Sequence, residues 1–150
     1  MTIGEFFGTL QESITAEWRK HLQTNKYSEH EILDDFYKEM PEKVDSLIEA
    51  YQADNGIVED YKNLLDEGMG ALEYLEALKE VVEEGRELFD STELESLTDD
   101  ILSLIDSTIY KLKHLKESMV SLSDYLIESL SRGTLNEELL MPTSILRNPI

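Results

Sequence analysis

Long runs of apolar residues at three- and four-residue steps, broken only at a few glycine-bearing junctions, leave this chain little choice but helix. From Ile3 to about Thr24 the stripe is Ile3, Phe6, Phe7, Leu10, Ile14 and Trp18, the pattern of an amphipathic helix with its polar face outward. After the turn TNKYS, with Ser28 as expected N-cap, a second run carries Ile32, Leu33, Phe36, Met40, Val44, Leu47 and Tyr51 and stops at Asn55-Gly56. Pro41 falls inside it and predicts a kink near Glu39–Pro41, or a restart with Pro41 at the first helical position. Ile57 to Leu65 reads as a short connecting helix ending near Gly68-Met69-Gly70. A third helix is expected from about Ala71 to Phe89. Ser91 or Thr92 then caps a last run that continues from Leu94 through Leu130 to Arg132-Gly133. With 7 glycines and 3 prolines in 150 residues, and no period-two alternation, the expected class is all-α.

That length suits one core-bearing domain, and the expected division is a four-helix bundle over residues 1–115 with a helical extension and tail over 116–150. Apolar residues from Met119 to Leu130, then Leu135, Leu139, Leu140, Met141 and Ile145, exceed what one bundle needs, so this extension is expected to contact a neighbouring subunit. No cysteine is present, which removes disulfides, thiolate metal sites and cysteine nucleophiles. The segment MTIGEFFGTL does not read as a signal peptide, and no apolar stretch reaches the ~20 residues that span a bilayer. Acidic residues number 33 against 13 basic, a formal charge of −20, which repels nucleic-acid backbones and anionic lipid. The expectation is a soluble, cytoplasmic protein that binds neither nucleic acid nor membrane.

Chemistry concentrates between Trp18 and Gly56. His30, Asp34, Asp45 and Glu49 follow one another at intervals of four, eleven and four residues. Residues four apart share a helix face, so each pair could hold one edge of a metal ion. Fifteen residues separate His30 from Asp45, about 22 Å along a helix, so the pairs cannot meet on one ion within one straight helix. They could meet if two copies pack antiparallel about a two-fold axis. Against this stands the ease with which carboxylates fall four apart among 33 acidic residues, and the frequency of histidines as plain surface residues. His114 has no matching partner nearby and reads as structural or exposed. A Glu-x-x-His pair on each of two helices, the mark of a di-iron centre inside a bundle, is absent, as are phosphate loops, nucleophile elbows and Cys/His zinc patterns.

The wording HLQT, YSEH, FY, VDSLIEAYQ and NG over about residues 10–60 resembles the ferritin-like superfamily. Within it the chain is most similar to the Dps-like mini-ferritins, and closest to divergent ferritin-like proteins of bacteriophages and other mobile elements. The resemblance implies a ferritin-like four-helix bundle with a long crossover between the second and third helices. His21 then matches the family's first-helix histidine, His30 and Asp34 its His-x3-Asp, and Asp45 and Glu49 its Asp-x3-Glu. It implies iron as the metal, held between subunits of an antiparallel homodimer inside a larger oligomer, and a ferroxidase activity. The alternative is a non-enzymatic ferritin-like structural or interaction protein, such as a phage-encoded particle component located in the virion, whose metal ligands are vestigial.

Overall fold

A computed structural model describes residues 1–115, 126, 127 and 129–131. The chain divides into two compact units, Met1–Lys116 and Glu117–Ile150. The first contains four α-helices: α1 (Ile3–Gln23), α2 (Tyr27–Asn55), α3 (Ala71–Arg86) and α4 (Thr92–His114). In the second, residues 126, 127 and 129–131 are helical. No strand occurs among the described residues, and none of their helices is long and apolar enough to cross a membrane. The all-α expectation holds.

Each helix begins and ends for local reasons. Thr2 and Glu5 form a reciprocal capping box on α1, with Glu5 N–H donating to Thr2 Oγ1 at 3.1 Å and Thr2 N–H to Glu5 Oε2 at 2.9 Å. Gly56 ends α2 with φ of 84°, a conformation that costs glycine no Cβ clash. Ser91 Oγ accepts from Leu94 N–H and caps α4, as expected. Ser28 does not cap α2; that position belongs to Lys26, and Ser28 is buried in the first turn.

α1 packs on α2 and α3, and α4 packs on α2 and α3. Phe7 meets Tyr51 edge-on at one end of the α1/α2 pair and His21 stacks on His30 at the other, so these two helices are antiparallel. Lys20 lies over Tyr74, while Gly85 of α3 abuts the Phe6 ring, which makes α1 and α3 antiparallel too. Ion pairs Arg86–Asp99, Lys79–Asp106 and Lys113–Glu76 fix α4 antiparallel to α3. Phe6, Phe7, Leu10, Leu33, Phe36, Met40, Leu75 and Ile101 are fully buried between them, each contributing roughly 1.5–3 kcal/mol through burial.

Several expectations change. α2 continues through Pro41 without restarting; the ring is exposed, and the Tyr37 carbonyl loses its usual donor four residues on. Residues 57–65 form no helix. They run extended beside α1, with Lys62 N–H donating to the Gly4 carbonyl at 3.1 Å and Leu64 N–H to Thr9 Oγ1 at 3.0 Å. A methyl group on Gly4 or Gly8 would overlap the backbone of Asp60 or Lys62; the two glycines make a groove that lets backbone approach backbone. Farther on, Arg19 grips both Glu67 oxygens at 2.7 and 2.6 Å. α3 stops at Arg86, and Glu87–Phe89 turn back on Glu84, Gly85 and Arg86. α4 ends at His114 with Leu115 as C-cap; the apolar run expected to continue to Arg132-Gly133 passes from there into residues outside the described ones. Trp18 leaves the expected stripe: it is 48% exposed and stacks on Tyr37. Of the apolar residues expected to mediate assembly, Met119, Leu122, Leu135, Leu139, Leu140, Met141 and Ile145 lie outside the described residues.

Candidate metal centre

The turn between α1 and α2 is three residues long, Thr24 to Lys26, and two histidines staple it. His21 Nδ1 lies 2.7 Å from the His30 carbonyl oxygen, and His30 Nδ1 lies 2.8 Å from the His21 carbonyl oxygen. A carbonyl only accepts, so each Nδ1 carries the proton and donates it. In the neutral rings each Nε2 therefore keeps its lone pair. The His21 carbonyl belongs to the last turn of α1, where carbonyls lack a helical donor, and the His30 ring supplies one. The rings stack with centroids 3.7 Å apart and planes 18° from parallel. Stacking holds the two ring planes nearly parallel, so each Nε2 lone pair lies in its own plane.

Asp34 stands one turn beyond His30, with Oδ1 3.8 Å from His21 Nε2. Its other oxygen accepts from Lys38 Nζ at 2.9 Å. That hydrogen bond is the main cause holding the Asp34 carboxyl below its ordinary range, assisted by a hydrogen bond from Tyr37 and by the charges of Lys38 and His21. The Tyr37 hydroxyl is pushed up, chiefly by loss of solvent and then by its bond to Asp34. His21 is buried, whereas His30 and Asp34 are partly open. Tyr37 closes the shell, 5.1 Å from the His21 ring and 5.5 Å from Trp18 between centroids.

Thus His21, His30 and Asp34 come together at one end of the α1/α2 pair. Asp45 and Glu49 do not join them. Both are exposed on the far half of α2, about 22 Å along the helix from the histidine end. Among the described residues, no three His, Cys, Asp or Glu side chains of one chain are grouped so as to hold a metal ion. The donor types nevertheless fit a borderline divalent ion: unprotonated imidazole nitrogen with carboxylate oxygen, the imidazoles oriented by Nδ1–H bonds to carbonyls as metal-binding histidines commonly are. His114 is exposed beside Tyr110.

The sequence pattern did not reveal Glu17 and Tyr74. Both are fully buried, and neither the Glu17 carboxyl oxygens nor the Tyr74 hydroxyl has a hydrogen-bond partner. Burial pushes the Glu17 carboxyl up to about 8; Lys20 opposes that rise and Glu29 adds to it. A signal was present: Glu17 lies on the inward line Leu10, Ser13, Glu17, His21, three or four residues apart, where a charge among apolar neighbours is out of place.

No curated protein and no solved structure matches the chain significantly. A family model does match, over residues 21–112, a span that takes in all five candidate ligands and Tyr74. The chain therefore belongs to the family of unknown function DUF5856.

Proposed function

We propose that this is a ferritin-like, Dps-like protein that binds Fe²⁺ between two subunits and oxidises it to Fe³⁺, with oxygen or peroxide as electron acceptor. His21, His30 and Asp34 of one copy would face Asp45 and Glu49 of a second copy packed antiparallel along α2. The observation that carries this reading is the reciprocal histidine staple. It fixes two imidazoles side by side with Nδ1 committed to carbonyls and leaves both Nε2 atoms as ligands. The exposure of Asp45 and Glu49 supports it as well, since an intersubunit site needs them at the surface of the free chain. The path of the 56–70 segment along α1, from Gly4 to Arg19, supports a connection that returns the chain along the bundle, as a ferritin-like crossover does. Fe²⁺ would be substrate here. The protein supplies its ligands, and the acidic surface draws cations toward them.

Anaerobic Fe²⁺ calorimetry together with solution mass tests the reading. A dimer or larger assembly that binds Fe²⁺, and loses it in His30→Ala and in Asp45→Ala alike, is expected. A monomer, or an assembly indifferent to both changes, contradicts it. The Lys38–Asp34 pair favours a second reading, because it already neutralises one ligand. In that reading the histidine pair only staples the α1/α2 turn and the bundle serves as a non-enzymatic structural or interaction module, consistent with the phage resemblance.

A further inference from the structure

Glu17 is a carboxyl sealed in the bundle without a partner, and the cation nearest to serving it is occupied elsewhere. Lys20 lies three residues on, close enough on α1 to reach Glu17. Its Nζ instead donates to the Glu67 carbonyl at 3.2 Å and sits 4.6 Å from the centre of the Tyr74 ring. Lys20 thereby joins three elements, α1, α3 and the connecting segment, at the point where the segment enters α3. We propose that Glu17 and Lys20 form a proton-controlled latch: while Glu17 is neutral, Lys20 ties Glu67 and Tyr74 to α1, and when Glu17 loses its proton, Lys20 turns inward to the carboxylate and releases both.

The chemistry follows from burial. A neutral carboxyl tolerates this position, but an ionised one must find a counter-charge or be expelled. The groups around it leave one candidate. From α1 come Lys20 and, one turn on, His21, which is committed to His30; from α2 comes Glu29; from α3 comes the Tyr74 hydroxyl, which Glu12 and Glu67 also influence. The acidic members repel the new charge. Tyr74 stays protonated, since burial and then the nearby Glu17 charge push its hydroxyl up. Lys20 alone can move to Glu17 at the cost of two weak contacts. Arg19 keeps its grip on Glu67 at the surface, so the latch loosens the end of the segment and the first turn of α3 without freeing them. Burial sets the working range near the upper edge of neutral pH. The latch is independent of the proposed metal site, in which Glu17 takes no part.

Nuclear magnetic resonance of the full chain tests it. Below about pH 7 the Lys20 ε-methylene protons should resonate upfield, shielded by the Tyr74 ring, and above about pH 9 they should return to ordinary positions. Over the same range, exchange protection of the Tyr74 amide, which donates to the Gly70 carbonyl, should fall about tenfold after correction for intrinsic rates, while the Ile105 amide of α4 keeps its protection. Glu17→Gln should hold the upfield position and the protection at both pH values. Lys20→Met should have low Tyr74 protection at both, which tests the latch even if the glutamine variant fails to fold. Lys20 resonances that do not move in the native chain, or that move equally in Glu17→Gln, would overturn the proposal. So would a Lys20→Met variant that retains the full pH-dependent change.

Discussion

At the residue scale, Glu17 and Asp34 respond to pH in opposite ways because their environments do. Burial pushes the Glu17 carboxyl up to about 8 in the fold against an ordinary 4.5. Between those values the folded state holds a proton that the unfolded state has lost, so its contribution to stability falls as pH rises through the window, by up to ~1.4 kcal/mol per unit. Glu17→Gln should abolish that slope. Its melting temperature should exceed that of the native chain at about pH 8 and approach it near pH 5; parallel profiles would refute the assignment. Asp34 is held low by Lys38, so its contribution is present above the ordinary aspartate range and is lost as pH falls through the depressed value. Lys38→Met removes the competitor for that carboxylate and should tighten Fe²⁺ binding about three- to tenfold by calorimetry. Unchanged or weaker binding would mean that Asp34 is no ligand. The ligand candidates were legible because spacing on one helix is a sequence property. Glu17 is harder to single out, because among many glutamates only its place on the inward line of Leu10, Ser13 and His21 marks it.

At the element scale, Ser91 and Gly56 mark helix ends that the sequence shows, whereas the Thr2 capping box goes unmarked by the apolar pattern and Ser28 points to a cap that Lys26 occupies. The 56–70 segment was misread for a physical reason. Ile57, Val58, Leu64 and Leu65 carry the apolar content of a short helix, but the segment lies against α1 in extended form, held by Gly4 and Gly8, whose own spacing of four residues is the signal of a close approach. Gly8→Ala should displace the segment and cost about 1–3 kcal/mol in urea unfolding; a cost near zero would mean the backbone contact is dispensable. Trp18 lies nearly in line with the buried Phe7, about three turns on, and so reads as inward, yet at that end of α1 it stacks on Tyr37 and stays half exposed.

At the scale of the whole molecule, charge sets behaviour toward nucleic acid. A chain of formal charge −20 should show no DNA retardation at about 150 mM salt, because few cations are available to displace counterions; micromolar retardation would contradict this. The chain should tolerate loss of residues 117–150 as a fold, since Met1–Lys116 is a compact unit, while its oligomeric mass by light scattering should change. Retention of both mass and solubility would make the second unit a passive appendage. If the two halves of the proposed metal site come from different copies, complementation between variants restores it. His30→Ala/Asp34→Ala leaves the Asp45/Glu49 half intact; Asp45→Ala/Glu49→Ala leaves the His30/Asp34 half intact. Each variant alone should bind no Fe²⁺ at the site. Mixed and allowed to exchange subunits, they should form heterodimers in which one of the two sites is whole, and anaerobic calorimetry should recover that fraction of native binding. Full binding by either variant alone, or none in the exchanged mixture, would contradict an intersubunit centre.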